Sequence, residues 1–242
     1  MPEAPLLSLV LACYNEEEVL AESFGEIRDT LVDLGRPFEV LFVDDLSRDH
    51  TREIIASLVA AHPQLDLRVL LHETNRGRGA TVTDGFRVAR GEIAGYLDVD
   101  LEVHSRYIPS LVRAIQNGAD VATLRRIYAF QARSIDRYLM SRGYSFLVRK
   151  LLGVSFLDTE TGYKFFRRAA LLPVLDEIQD PGWFWDTEFM VRAGRHGLRV
   201  VEIPGAYVRR WDKASTVRGL RDSVAYFGKL LAFRRALGRG QA

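Results

Sequence analysis

The sequence predicts an α/β protein with a mostly parallel β-sheet flanked by helices. Short apolar, β-rich segments alternate along it with segments whose apolar residues recur about every 3.6 positions. This alternation requires crossover connections, which are right-handed and produce parallel strands. The chain has 242 residues, 48% of them hydrophobic and 27% charged. It is therefore long enough to bury a large core, and its composition excludes a disordered or fibrous protein.

The alternation is clearest in the first half of the chain. Strands are predicted there at Leu6–Ala12, Val40–Val43, Leu67–Leu71, Ile93–Leu97 and Asp120–Leu124. The helices between them are predicted at Glu16–Leu34, Thr51–Ala61 and Ala80–Ala89. In the less regular second half, helices are predicted at Gln131–Leu152, Trp185–Arg195 and Arg218–Leu237, a strand at Val200–Ile203, and a glycine-centred turn within Ser155–Arg168.

Cysteine content and charge narrow the class of protein. A single cysteine, Cys13, permits no internal disulfide. The first apolar run ends in three glutamates without the basic start of a signal peptide, and no stretch reaches the roughly 18 apolar residues of a spanning helix. We therefore expect a soluble or peripheral cytoplasmic protein. Acidic residues dominate positions 1–120 and basic residues dominate 121–242. This asymmetry suits a cation on one side and an anion on the other, or simply two solvated faces.

Acidic side chains follow the predicted strands at the point where each strand ends. Asp44 and Asp45 come after the second strand, and Asp98, Asp100 and Glu102 after the fourth. Ligands of parallel α/β sheets bind beyond these carboxyl ends. If the segment from Asp98 to Glu102 is extended, its three carboxylates share one side and repel each other unless a cation lies between them. Mg²⁺ and Mn²⁺ take such oxygen ligands and share them with phosphates, although an Asp-x-Asp pattern alone is more often a solvated turn.

A glycine-rich segment, Asn75-Arg76-Gly77-Arg78-Gly79, opens the third predicted helix. Its glycines, its arginines and the helix N-terminus together favour a phosphate group. The segment is neither a P-loop nor a dinucleotide-binding fingerprint. An ordinary turn that begins a helix remains the alternative.

Six motifs, in this order and spacing, resemble those of the inverting GT-A glycosyltransferases of family 2. The likeness is strongest to the polyprenyl-phosphate sugar synthases, the group that includes dolichol-phosphate mannose synthase, and it covers about residues 6–217. The motifs are ACYNEE at 12–17, VDDLS at 43–47 with Thr51, NRGRGA at 75–80, DVD at 98–100, DTETGYKFFR at 158–167 and WDTE at 185–188.

The resemblance implies a GT-A fold, a Rossmann-like sheet with an acceptor-side subregion in its second half. It divides the chain into a glycosyltransferase domain at 1–217 and a basic amphipathic helix at 218–242. Within the domain, 1–124 forms the nucleotide-sugar half and 125–217 the acceptor half. Leu46 replaces a glycine that is common in the family, and Glu102 stands where the synthases usually have glutamine.

The resemblance also assigns site residues. It implies nucleotide contacts from Ala12, Tyr14, Glu16, Asp44, Asp45, Arg78 and Asp98. A divalent cation, Mg²⁺ or Mn²⁺, is expected on Asp98, Asp100 and Glu102. Acceptor or phosphate contacts are expected from Arg126, Arg137, Ser141, Arg209, Arg210 and Lys213.

The implied reaction is metal-dependent, inverting transfer of a sugar from GDP-mannose or a UDP-sugar to a polyprenyl or dolichyl phosphate. A lipid phosphate is largely dianionic near pH 7, because its second pKa is about 6, and it can attack without a general base. A hydroxyl acceptor, as in polysaccharide or natural-product assembly, needs one. Asp186 and Glu188 are the candidate bases, and their spacing at a helix start lets at most one of them face the substrate.

Other readings of the sequence remain open. A nucleotide-binding scaffold with an inactive site is one, while nucleic-acid binding is disfavoured because no recognition motif is present. Trp183, Phe184 and Trp185 form either a stacking wall for a sugar or prenyl chain or part of the core. The helix at Arg218–Leu237 either lies on anionic lipid, as a peripheral membrane contact, or packs against the domain.

Overall fold

The computed structural model describes residues 4–128, 135–208 and 219–238. Within these ranges it describes all side chains except those of residues 135–141 and 219–225. The strands are β1 (Leu7–Cys13), β2 (Phe38–Asp44), β3 (Asp66–Leu71), β4 (Ile93–Leu97), β5 (Val121–Tyr128), β6 (Tyr163–Arg167) and β7 (Val200–Tyr207). The helices are α1 (Leu20–Asp33), α2 (Thr51–Ala61), α3 (Arg78–Val88), α4 (Ile108–Gln116), α5 (Ile135–Leu152), α6 (Arg168–Leu175), α7 (Trp185–Arg195) and α8 (Gly219–Gly238).

Within the described ranges the strands form one seven-stranded sheet in the order β3-β2-β1-β4-β6-β5-β7. β3, β2, β1 and β4 pair in parallel, and so do β5 and β7. β6 runs antiparallel to β4 and to β5. The predicted mostly parallel sheet flanked by helices is confirmed. Because β6 reverses direction between two parallel neighbours, the carboxyl ends of β1, β2, β4 and β5 all lie at one edge of the sheet.

Three elements were not predicted from the sequence. β6 lies inside the segment expected to contain a glycine-centred turn, and four of its five residues are buried. The helices α4 and α6 also lie outside the predicted elements. α1 begins at Leu20 rather than Glu16, and the amides before it are bonded elsewhere: Glu16 donates to Thr51 at the start of α2, and Glu17 to Asp49 in the loop before α2.

Two apolar cores cover the two faces of the sheet, and a third cluster lies beside them. α1, α2 and α4 contribute to one core, and α3, α6 and α7 to the other. The third cluster joins α5, α7 and α8 through Val148, Phe184, Val191, Leu230 and Phe233. The last helix thus packs against the domain, which was one of the two readings of its sequence. In the described part of the chain, no helix is long and apolar enough to span a membrane.

We expect Gly85→Ala to lower the free energy of unfolding by about 1–3 kcal/mol, because an added methyl group overpacks the contact of α3 with the sheet. A Cβ at Gly85 would lie 2.5 Å from Val10 Cγ1. Gly25→Ala is the matched control, since a Cβ there meets nothing within 4 Å. Gly25→Ala should raise stability by up to about 1 kcal/mol through helix propensity. Urea unfolding measures both, and equal effects would contradict the packing described here.

Candidate functional site

The loops that follow β1 and β2 are tied to each other at the carboxyl edge of the sheet. The Asn15 amide donates to Ser47 Oγ at 3.0 Å, and the Glu16 amide to Thr51 Oγ1 at 2.8 Å. Asn15 and Leu46 both have positive φ, at 55° and 63°. Leu46 therefore takes the backbone conformation that a glycine adopts more easily. Tyr14 remains 41% exposed beside these loops, where a ligand can reach its ring.

Asp44 and Asp45 are buried and bonded to the protein. Asp45 accepts the backbone amides of Arg76 at 2.7 Å and Gly77 at 2.8 Å, and its Oδ1 lies 2.8 Å from His72 Nδ1. Asp44 accepts from Arg52 Nε at 2.5 Å. Both carboxylates therefore shape the surrounding loops. Their contact with a nucleotide stays a prediction.

The start of α3 is pressed closely against α7. Gly77 has a φ of 90°, and a Cβ at Gly79 would lie 2.5 Å from Trp185 Cβ. Glycine is required at both positions, because the first needs left-handed backbone and the second leaves no space for a methyl group. This close approach places Arg78, the first residue of α3, between the sheet edge and α7.

The Arg78 guanidinium links two carboxylates. Its Nη2 donates to Asp98 Oδ1 at 2.6 Å, and its Nη1 to Asp186 Oδ2 at 2.7 Å. The same group lies 5.4 Å from the ring centroid of Tyr96 and 4.9 Å from that of Trp183. Burial opposes the charge on Arg78, but Asp98 and Asp186 outweigh it and raise the pKa of Arg78 well above its ordinary value. Arg78 is therefore a fixed cation at the head of α3.

Asp186 lies between two cations and is almost fully buried. In addition to Arg78, it accepts from Lys164 Nζ at 2.6 Å and from the Tyr96 hydroxyl. Lys164 is itself 0% exposed and also donates to the Thr161 carbonyl. Burial lowers the pKa of Lys164, an effect that Asp186 opposes. Lys164 and Tyr96 are not among the residues predicted for the site, although a lysine inside the apolar run YKFFR indicates a buried charge that needs a partner.

The three carboxylates expected to share a metal ion are not grouped together in the structure, and their binding of a cation stays a prediction. Leu101 has a φ of 50°, so the segment after β4 turns instead of staying extended, and alternate residues do not share one side. Glu102 accepts from the Tyr207 hydroxyl at 2.6 Å, whereas Asp98 pairs with Arg78 and is 42% exposed. No group of three His, Cys, Asp or Glu side chains among the described residues is placed to hold a metal ion.

Arg126 lies at the end of β5, on the acceptor side of the same edge. Its Nε and Nη2 donate to Asp158 at 2.7 and 2.9 Å, and Nη2 also approaches Glu160 Oε2 at 3.4 Å. The loop that carries these carboxylates is held in turn by Glu202 on β7, which accepts the amides of Leu157 and Asp158. The arginine predicted to bind an acceptor thus already has two anionic partners.

The other predicted residues divide into three groups. Glu188 is buried and accepts from Arg192 Nη2 at 2.7 Å and from the Asp180 amide at 2.8 Å, so it holds the segment before α7 in place, and its role in catalysis stays a prediction. Phe184 and Trp185 belong to the core, whereas Trp183 is 51% exposed. The remaining predicted contacts stay predictions, because they fall on side chains outside those that the structure describes: Arg137, Ser141, Arg209, Arg210 and Lys213.

A mostly parallel seven-stranded sheet flanked by helices is the fold expected of a GT-A glycosyltransferase. The model of the glycosyl transferase family 2 matches residues 8–174. The chain belongs to this family.

Relatives of the chain are sugar transferases by name, and two of the following three are named for a lipid phosphate. Glycosyltransferase AglD of Haloferax volcanii is 34% identical over 88% of this chain and 35% of its own length. The dolichyl-phosphate beta-glucosyltransferase of Saccharomyces cerevisiae is 28% identical over 84% of this chain and 66% of its own. The undecaprenyl-phosphate 4-deoxy-4-formamido-L-arabinose transferase of Pseudomonas aeruginosa is 32% identical over 70% and 49%. The chain thus spans between about a third and two thirds of the length of these relatives.

Solved structures confirm the GT-A fold. Glucosyl-3-phosphoglycerate synthase from Mycobacterium tuberculosis, crystallised with Mn²⁺, uridine diphosphate and glucosyl-3-phosphoglycerate, superposes with a TM-score of 0.66. It is 22% identical, and the match covers 94% of this chain and 78% of that one.

Lys164→Met should lower the free energy of unfolding by about 3–5 kcal/mol, because it removes one partner of a buried ion pair and leaves Asp186 undercompensated. Arg87→Met is the matched control. Arg87 pairs with Asp176 at 2.9 Å, but the two side chains are 50% and 67% exposed. Its loss should change stability by less than about 1 kcal/mol. Denaturant unfolding compares the two, and a similar small loss for both would contradict the role given to Lys164.

Proposed function

We propose that this chain transfers a sugar from a nucleotide sugar, GDP-mannose or a UDP-sugar, to a polyprenyl phosphate, with inversion at the anomeric carbon and with a divalent cation. The family and the named acceptors of two relatives, dolichyl phosphate and undecaprenyl phosphate, support the acceptor class. The uridine diphosphate and Mn²⁺ bound to a structural neighbour support the donor and the cation. A lipid-linked acceptor would bring the chain to the cytoplasmic face of a membrane as a peripheral protein.

A single observation favours a phosphate over a hydroxyl acceptor: both candidate bases, Asp186 and Glu188, are already hydrogen-bonded within the protein. Asp186 accepts hydrogen bonds from Lys164, Arg78 and Tyr96, and two of these donors are cations. Glu188 is bonded to Arg192 and to backbone amides. Neither is poised to take a proton from a hydroxyl. A phosphate dianion needs no such base, because it attacks the anomeric carbon directly.

On the donor side, negative charge develops on the leaving diphosphate as its bond to the sugar breaks. Stabilisation of that charge is the largest contribution a protein can make to such a reaction. Arg78 supplies a fixed cation and lies at the N-terminus of α3, where the helix dipole also favours an anion. If Arg78 released Asp98 and bound the diphosphate instead, donor binding would free a carboxylate after β4.

The residues after β4 fit a cation that is held partly by its ligand. Asp98 is 42% exposed and Asp100 follows it by two residues, and two carboxylates together with phosphate oxygens form a common Mg²⁺ site. Glu102 is a weaker candidate because it is bonded to Tyr207. When bound, the cation would neutralise charge on the leaving diphosphate.

On the acceptor side, Arg126 would position the attacking phosphate. One phosphate oxygen forms the new bond to the anomeric carbon from the face opposite the diphosphate, which leaves with the bonding electron pair. The configuration is inverted as a result. Arg137, Ser141, Arg209, Arg210 and Lys213 remain the sequence-predicted partners of the two phosphate groups.

The reaction is tested by mass spectrometry of products from the purified chain with Mn²⁺ or Mg²⁺. The donors are GDP-mannose, UDP-glucose and UDP-N-acetylglucosamine, each offered with farnesyl phosphate and, as the matched acceptor, with farnesol. We expect a sugar–phosphate–lipid product from farnesyl phosphate and none from farnesol. Product from hydroxyl acceptors alone, or donor binding without any turnover, would overturn the proposal in favour of a hydroxyl acceptor or an inactive site.

Asp100→Asn should lower turnover by at least about 100-fold, because it removes a charge that holds the cation against the leaving diphosphate. The melting temperature should stay unchanged. Asp29→Asn on α1 is the control, since Asp29 is 67% exposed and remote from the carboxyl edge. Turnover and Mn²⁺ titration are measured on both. Full activity of the Asp100 variant would refute the proposed cation site.

A further inference from the structure

Arg126 is shared unequally by two carboxylates. Asp158 accepts two guanidinium hydrogen bonds and the Arg126 backbone amide, and its side chain is 8% exposed. Glu160 makes one long contact at 3.4 Å, and its side chain is 25% exposed. Asp158 thus anchors the arginine, whereas Glu160 occupies the more open side of it. Of the two carboxylates on Arg126, Glu160 is therefore the more accessible to a ligand from solvent.

Several elements present charged or titratable groups to Glu160. Among the described residues these are Arg126 on β5, Asp158 on the same loop, Asp186 on α7, Tyr144 on α5 and Tyr226 on α8. Burial raises the pKa of Glu160 to about 7, with Arg126 opposing and Asp158 and Asp186 adding to the rise. Glu160 therefore changes charge close to neutral pH.

The charge of this cluster decides what can bind to it. One guanidinium and two ionised carboxylates carry a net charge of −1, which repels a phosphate dianion. With Glu160 protonated, the cluster of Arg126, Asp158 and Glu160 is neutral. The neutral carboxyl group also gains an O–H that can donate to a phosphate oxygen.

We infer that Glu160 is the group that Arg126 exchanges for the acceptor phosphate, and that Glu160 takes up one proton from solvent as the phosphate binds. The inference rests on the proposed function and deepens it by adding a residue that selects the acceptor. Arg126 Nη2 turns from Glu160 to a phosphate oxygen, while Asp158 keeps the arginine in place. No covalent bond changes in this step.

Acceptor affinity then depends on pH in a defined direction. Above pH 7 Glu160 is mostly ionised in the free enzyme, so phosphate binding requires the uptake of one proton. The proton concentration falls tenfold with each pH unit, which weakens binding accordingly. The Kd for the acceptor should rise by up to about tenfold per pH unit in this range. In Glu160→Gln the side chain is always neutral, so this rise should be absent.

The test is isothermal titration calorimetry with farnesyl phosphate at pH 7.5, in two buffers of different ionisation enthalpy. The wild-type chain should take up more than half a proton per ligand bound, and Glu160→Gln should take up none. Glu202→Gln is the matched control, because Glu202 is also a carboxyl whose pKa burial raises, but it is bonded to backbone amides and not to Arg126. Glu202→Gln should retain the proton uptake.

Each other outcome overturns the inference in a recognisable way. Binding with equal proton uptake in wild type and Glu160→Gln would assign the proton to another group and leave the proposed function standing. Absence of both farnesyl phosphate binding and product would remove the proposed function and the inference with it. Glu160→Ala serves as a second variant and should lose the uptake as well, and thermal unfolding establishes that each variant is folded.

Discussion

The site depends on the hydrogen bonds and ion pairs of one buried carboxylate, that of Asp186. It brings α7, β4, β6 and α3 together through Tyr96, Lys164 and Arg78. A buried ion is stable only while its partners stay in place, since loss of one leaves a charge without compensation in a low-dielectric interior. The cluster therefore fixes where Arg78 lies, and Arg78 in turn holds Asp98 at the end of β4. Specificity of position, more than net stability, is what such a cluster provides.

The reversed direction of β6 makes this arrangement possible. Because β6 enters the sheet from the carboxyl edge, the loop before it lies between the ends of β4 and β5. At its last residue, Gly162, an added Cβ would lie 1.8 Å from Asp98 Oδ2, and earlier residues of the loop supply the carboxylates that hold Arg126. One short segment thus touches both the donor-side and the acceptor-side charges. A parallel strand in this place would begin at the opposite edge and could not do so.

Much of this could be predicted from the sequence, and the limits have physical reasons. The apolar runs of β1, β2 and β4 predict these strands, because buried parallel strands carry a strong local signal, and the acidic residues after them therefore lie together at one edge of the sheet. The roles of individual carboxylates carry no such signal. Asp45 and Glu188 look alike as site residues in the sequence, yet their partners differ. Asp45 accepts the Arg76 amide from a distant loop, whereas Glu188 is bonded to Arg192 one helical turn away and to the nearby Asp180 amide. A backbone turn at Leu101 likewise separates carboxylates that an extended segment would have aligned.

The acidic first half and basic second half of the chain do not meet as two bare charged surfaces. Arg78 is neutralised by Asp98 and Asp186, and Arg126 by Asp158 and Glu160, before any ligand arrives. A neutral ligand cannot replace the carboxylates that are paired with these arginines, so its binding at these positions is weakly favourable at most. An anion can take over the guanidinium, provided that the displaced carboxylate finds a cation or a proton. Under the proposed function, these ion pairs would therefore favour anionic ligands, and the binding of each anion would be coupled to the binding of a cation or a proton by the displaced carboxylate.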